Sequence, residues 1–326
     1  MHIQKNRYQL VVIFLITLIT CGSVSAHNNV VVIPMAGDAE PLKNIITVSE
    51  RNGDFTNLLD AMNSISNASN TNPYLIVLGP GQHFIVGQLI MKDFVSITGS
   101  GIDTTEIRGA VGGNGFTETA ALIVGGRETE ISDLSIVNSV SNEVVIGIHS
   151  SQENMRLTRT RVTVFGALGS QYGIVNQESE FRLVDSEVFN SGSTGGSCYG
   201  IYSYSNAVLR VNNMNISVNC NDGTQYGVFV NASAVSYINN TLIEIDISDV
   251  GYGYFSNGNN SKGYISDSII GGADIAVYGG TSAGIFYKTY ISNSDLRSNG
   301  SGNVECDFTR LHTGFPLPDD DCAAFN

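Results

Sequence analysis

Seven stretches of this chain read aliphatic, any, Asn or Asp, any, any, aliphatic, and they recur every 26 to 28 residues. The first aliphatic slot holds Ile131, Leu157, Leu183, Val211, Ile238, Ile265 and Ile291. The second holds Ile136, Val162, Val188, Ile216, Ile243, Ile270 and Leu296. Between them lie Asp133, Asp185, Asn213, Asn240, Asp267 and Asn293, with Arg159 the one departure. A fixed period of this size implies stacked coils or blades. Within the array there is no helical periodicity, and segments such as Arg210–Val218 alternate β-branched and polar residues. The two aliphatic slots are five apart, so a straight strand cannot turn both inward. A bend between them can, and Asx residues tolerate bends and bond their own backbone.

A second column runs in register with the first. Tyr172-Gly173-Ile174, Tyr199-Gly200-Ile201, Tyr226-Gly227-Val228 and Tyr252-Gly253-Tyr254 repeat at the same period, and Ile146-Gly147-Ile148 stands one coil earlier. Each period therefore holds at least two short strands. A propeller blade needs about 40 residues, so the pattern predicts an all-β parallel β-helix of about nine or ten coils, with coils roughly 4.8 Å apart. Upstream, Leu75–Leu78 and Val95–Ile97 supply earlier, less regular coils. The segment 54–65 reads as a helix with Asp54 or Thr56 as N-cap. A helix there is expected to cover the open end of the first coil.

The first 26 residues read as a signal peptide: Lys5 and Arg7, an uncharged run from Leu10 to Thr20, then Val24-Ser25-Ala26. The organisation expected is a signal peptide over 1–26, a β-helix domain with its N-terminal cap over 27–298, and a C-terminal tail over 299–326. The mature chain is then secreted or periplasmic and not membrane-spanning. Cleavage removes two positive charges, taking the net charge from −14 to −16. Such a chain does not seek nucleic acid, and it repels polyanionic sugars unless a cation such as Ca²⁺ bridges them. No other cofactor is expected.

Gly53-Asp-Phe-Thr-Asn-Leu-Leu-Asp-Ala-Met62, Leu78-Gly-Pro-Gly-Gln-His-Phe84 and Ile97-Thr-Gly-Ser-Gly101 resemble the opening of pectinesterase-like members of the pectin lyase-like superfamily. The resemblance implies a right-handed parallel β-helix. It also implies where chemistry would sit, and there the chain departs from the pattern. Pectinesterase-like motifs such as Gln-Asp-Thr-Leu, Asp-Phe-Ile-Phe-Gly and Leu-Gly-Arg-Pro-Trp are missing. Of a polygalacturonase-like set, only the Asp run Asp319-Asp320-Asp321 is present, in the tail.

Four cysteines outlast the signal peptide. Cys198 and Cys220 are 22 apart, close to one coil, and Cys306 and Cys322 would close a C-terminal loop. Pairings 198–220 and 306–322 are favoured among the three possible connectivities.

Three sets of side chains are candidates for function. Arg156, Arg182 and Arg210 recur at matched places, with Glu180 and Glu187 close by. They read either as an anion- or uronate-binding patch or, more plainly, as surface Arg–Glu pairs. Glu178 and Glu180 are two apart, as an acid/base pair could be. Two residues past each Gly lie His149, Val175, Tyr202, Phe229 and Phe255. If Ile148, Ile174, Ile201 and Val228 point inward, this column points outward, while the residues flanking each Gly share the inward parity. His149, Tyr202, Phe229 and Phe255 are the ligand-binding candidates, as an aromatic strip for sugar rings. Its plainer role is to stabilise neighbouring strands. The function expected is an exported, non-catalytic carbohydrate-binding or scaffold protein. The alternatives are a polysaccharide lyase, esterase or hydrolase with an unfamiliar site, and an adhesin-like rod.

Overall fold

The computed structural model describes residues 44–151, 154–245, 250–258, 260–271, 275–279, 289–292, 294–296, 300–302, 304–307 and 310–311. Residues 1–26, expected as a signal peptide, the tail beyond 311 and Asn293 lie outside the described residues. Two parallel sheets, one of 17 strands and one of nine, wind into a right-handed parallel β-helix. The nine-stranded sheet gives one strand per coil, from Leu89–Ile90 to Gly300–Gly302, which encloses about eight turns.

The repeat translates directly into register. Ile131, Leu157, Leu183, Val211, Ile238, Ile265 and Ile291 are successive ladder partners, each 3 % exposed or less. The second slot, from Ile136 to Leu296, stacks in the same way. Together they form two walls of one continuous core. The bend between them is a single residue in the left-handed region: φ is +56° at Asp133, +50° at Asp185, +54° at Asn213, +47° at Asn240 and +50° at Asp267. Among residues with a side chain, Asn and Asp accept that conformation most readily. They also bond along the stack, Asn213 Nδ2 to Asp185 Oδ1 at 2.6 Å and Asn240 Nδ2 to Asn213 Oδ1 at 3.1 Å. Arg159 has the same backbone, φ +47°, with no Asx side chain to join the stack. Its guanidinium instead grips the Asp133 carboxylate in the adjacent coil with two bonds, 2.6 and 2.8 Å.

One element of the bend was not anticipated. The residue after the Asx slot of the repeat is Thr160, Ser186, Thr241, Ser268 and Ser294 in five of the coils, all buried. Thr160 N donates to Ser186 Oγ (3.0 Å), Thr241 N to Ser268 Oγ (3.2 Å) and Ser268 N to Ser294 Oγ (3.3 Å). The Ser186 and Ser268 hydroxyls donate to the carbonyl two residues back, at 2.7 Å each. A turn that breaks the backbone ladder orphans an N–H, and the hydroxyl of the next coil satisfies it.

The helix runs from Leu58 to Ser64, shorter than expected, and its N-cap is Asn57, not Asp54 or Thr56. Asn57 Oδ1 accepts from the amides of Leu59 and Asp60. Asp54 is committed elsewhere, accepting from the Thr47 amide (2.8 Å) and hydroxyl (2.7 Å), which hold its carboxyl below the usual range. Leu58, Ala61 and Met62 of the helix are buried in the core. Cys198 and Cys220 form a buried disulfide with Cα atoms 6.4 Å apart. The 306–322 pairing falls outside the described residues, because Cys322 does. No helix among the described residues is long and apolar enough to cross a membrane.

Candidate functional site: the outer face of the nine-stranded sheet

The Tyr-Gly-aliphatic units build this face, and the glycine decides its orientation. A Cβ on Gly200 would lie 2.5 Å from the Gly227 carbonyl and 2.6 Å from Ile216 Cγ2, a core atom, so the glycine points inward into filled space. The ladder pairs Tyr172 with Tyr199 and Ile174 with Ile201 but passes over the glycines. Glycine and the following aliphatic thus both face the core, and strict alternation is broken. The parity expected for the tyrosines is corrected on this point: Tyr172, Tyr199, Tyr226 and Tyr252 face outward. They join the column Val175, Tyr202, Phe229 and Phe255 on the same side.

Two interlocked aromatic ladders result. In the first, neighbouring rings from Tyr172 to Tyr252 lie 4.6, 4.9 and 5.4 Å apart and within 9° of parallel. In the second, Tyr202, Phe229, Phe255 and Tyr278 follow at 5.1, 4.9 and 4.5 Å. Rings of one ladder meet the other edge to face, as Tyr226 meets Phe229 at 4.9 Å and 88°. Ring faces are therefore taken up by neighbouring rings, and what remains outward is ring edge and phenol hydroxyl. Burial raises the Tyr199 phenol and pushes those of Tyr226 and Tyr204 up to about 12. Tyr204 donates its proton to Gln177 Oε1 at 2.6 Å, and the Tyr199 and Tyr226 hydroxyls bond Ser197 and Thr224, which leaves each of them oxygen lone-pair capacity for a ligand donor. The flat strip of ring faces expected for sugar stacking is replaced by a row of hydroxyls at the coil spacing.

One end of the face is covered. Phe116, from the segment between strands Thr105–Gly109 and Ala121–Val124, packs on Tyr172, Tyr202 and Tyr204 at 4.8, 5.5 and 5.7 Å. Ala120, Ala121, Val144, Ile146, Tyr172 and Val175 form a second apolar cluster there. His149, stacked between Val124 and Val175, is 3 % exposed and so is no surface residue. Burial depresses its pKa, while Glu118 and Gln177 pull the other way, and its Nδ1 has no partner among the described residues. The folded protein therefore takes up the His149 proton at lower pH than the unfolded chain, which protonates near pH 6.5. Stability should therefore be fully present above that pH and be lost as pH falls below it, by at most about 1.4 kcal/mol per unit. Urea midpoints measured between pH 5 and 8 should show this slope, and His149→Gln should remove it. An identical slope in the variant would exclude His149 as its source.

The remaining candidates are resolved by their partners. Glu180 accepts from Arg182 at 2.7 Å and Arg210 at 3.0 Å. Partial burial alone would raise its pKa, but hydrogen bonds from Arg210 and Arg182 outweigh this and hold it low. It has no proton to give near neutrality, so Glu180 cannot be the general acid of a Glu178–Glu180 pair. Glu187 pairs with Arg161, whose guanidinium also reaches Asp103. Among the described residues no group of three His, Cys, Asp or Glu side chains is placed to hold a metal.

The fold is similar to that of two solved structures. A pectin methylesterase from carrot superposes with a TM-score of 0.54 at 11 % identity, covering 85 % of this chain and 90 % of that one. The pectate lyase Pel9A superposes with a TM-score of 0.54 at 13 % identity, covering 82 % and 79 %. At such identity the likeness establishes the fold: this chain has the right-handed parallel β-helix that these two enzymes share. No protein-family model matches the chain, and no curated protein matches it in sequence.

Proposed function

We propose that the protein is an exported, non-catalytic β-helix that binds a polymeric carbohydrate along the outer face of its nine-stranded sheet. The observation that carries this is the pair of aromatic ladders, which presents the same phenol edge coil after coil. A row of identical hydroxyls with a fixed step suits a ligand that is itself a repeat, as the extended surfaces of solenoids do. Ring edges beside hydroxyls offer the apolar and polar contacts that sugars need. The buried disulfide supports export, because such bonds persist in oxidising compartments. The names of the two solved relatives, a pectin methylesterase and a pectate lyase, support a polysaccharide as the ligand class.

A glycan array probed with the protein tests the reading. Tyr199→Phe/Tyr226→Phe/Tyr252→Phe keeps the stacking and removes the hydroxyls, and should weaken binding roughly tenfold or more. Tyr202→Ala/Phe229→Ala/Phe255→Ala should abolish it. Unchanged binding in both variants would rule out this face. Pectin and alginate incubated with the protein, with and without Ca²⁺, should yield no new reducing ends, unsaturated products or methanol; their release would replace the reading with an enzymatic one.

A further inference from the structure

A second surface lies on the 17-stranded sheet, away from the aromatic ladders. Arg156, Arg182 and Arg210 are ladder partners in three successive coils, and Tyr237 and Tyr264 continue the same row. The Arg210 guanidinium sits 4.7 Å over the Tyr237 ring, which stacks on Tyr264 at 5.1 Å and 8°. These tyrosines are 40 % and 36 % exposed. On one side of them runs the outward row Val184, Asn212, Asn239 and Ser266, and the amides of Asn212 and Asn239 are exposed. The two rows line a groove of about 530 Å³.

Charge makes the groove unusual. The chain as a whole carries −14, yet here Arg182 and Arg210 share a single carboxylate, Glu180. One positive charge is left over, and Lys262 lies on the same side in register with Val235. Both guanidiniums are nearly half exposed. Exposed ion pairs contribute little stability, so a ligand carboxylate can take over the guanidinium N–H groups from Glu180 at small cost. Guanidinium matches a planar carboxylate with two parallel bonds. Next to it stand phenol hydroxyls, ring edges and free-standing amides, which fit the hydroxyls and apolar face of a sugar.

We infer that this groove binds an acidic oligosaccharide, with a sugar carboxylate held by Arg182 and Arg210 and the adjoining units lying over Tyr237, Tyr264, Asn212 and Asn239. The site is independent of the aromatic face and reads charge where that face reads hydroxyls.

Calorimetric titration of the protein with a uronate hexasaccharide and with its carboxyl-reduced counterpart tests the assignment. Arg182→Gln/Arg210→Gln should weaken the acidic ligand roughly tenfold or more, and Arg182→Lys/Arg210→Lys should restore only part of the loss. The carboxyl-reduced ligand should bind this groove at least about tenfold more weakly than the acid. Tyr202→Ala/Phe229→Ala/Phe255→Ala should leave the charge-dependent component intact. Equal affinity for the two ligands, or full affinity in a folded Gln variant, would overturn the inference without touching the aromatic face. Loss of the charge-dependent component only in the aromatic variant would likewise overturn it. Self-association that Arg182→Gln/Arg210→Gln abolishes would also overturn it, by making the groove a contact between copies of this chain.

Discussion

Gly227→Ala should cost roughly 3 kcal/mol or more, although it adds one methyl group to a β-sheet. The new Cβ would stand 2.3 Å from Ile243 Cγ2 and 2.5 Å from the Gly253 carbonyl oxygen. Neither neighbour has room to yield, since Ile243 is fully buried and the carbonyl belongs to the next coil. Gly192→Ala supplies the comparison. Gly192 has φ +75° but open space around its Cβ position, so only the left-handed backbone is penalised, at about 1–2 kcal/mol. Urea denaturation combined with native-state hydrogen exchange should find the larger loss at Gly227 and place it in coils 198–256, because solenoid stability is a sum over neighbours. Equal losses would mean that the glycine column serves backbone freedom rather than close packing.

Tyr254→Ala should be comparably damaging, at about 3–5 kcal/mol. Tyr254 occupies a slot that holds Val228 one coil earlier and Val277 one coil later, and it is fully buried. The extra volume fits because Gly263 lies opposite: a Cβ there would be 2.3 Å from the Tyr254 hydroxyl. That hydroxyl pairs with Ser236 at 2.8 Å. Tyr254→Phe keeps the ring and should cost only about 1 kcal/mol. Burial pushes the phenol up to about 12 against the lowering influence of Ser236, Ser256 and Thr289. The unfolded chain ionises near pH 10, so stability should fall from there toward pH 12, and the Phe variant should lack that part of the fall. A Tyr254→Ala variant as stable as the Phe variant would contradict the packing account.

The coil array was legible because its signal is redundant: fourteen aliphatic slots with one period leave no other architecture, and all stack as read. The Asx bend was legible from the odd spacing, and Arg159 adopts it despite its residue type. The tyrosine column was not. Period-two reasoning assumes regular alternation, and the glycine lets two consecutive residues face inward. His149 was misread for another reason. Coils spaced 34 residues apart at Thr98–Ser132 carry extra chain that returns over the sheet with Phe116, and nothing in the repeat encodes that cover. The buried hydroxyls are legible in the sequence too, since Ser or Thr directly follows the Asx slot in five of the seven repeats, Leu134 and Met214 being the exceptions. The Arg–Glu pairing was legible, and Glu180 serves two arginines at once.

The central claim, that a periodic phenol edge on the nine-stranded sheet receives a polysaccharide, is open to one direct measurement. The chain has 14 tyrosines and no tryptophan. NMR spectra of protein carrying ¹³C-labelled tyrosine rings can therefore be followed as a bound polysaccharide fragment is added. The account predicts shifts at Tyr199, Tyr202, Tyr226 and Tyr252, with buried Tyr254 unmoved. Saturable binding that leaves all four of those ring signals in place would contradict it.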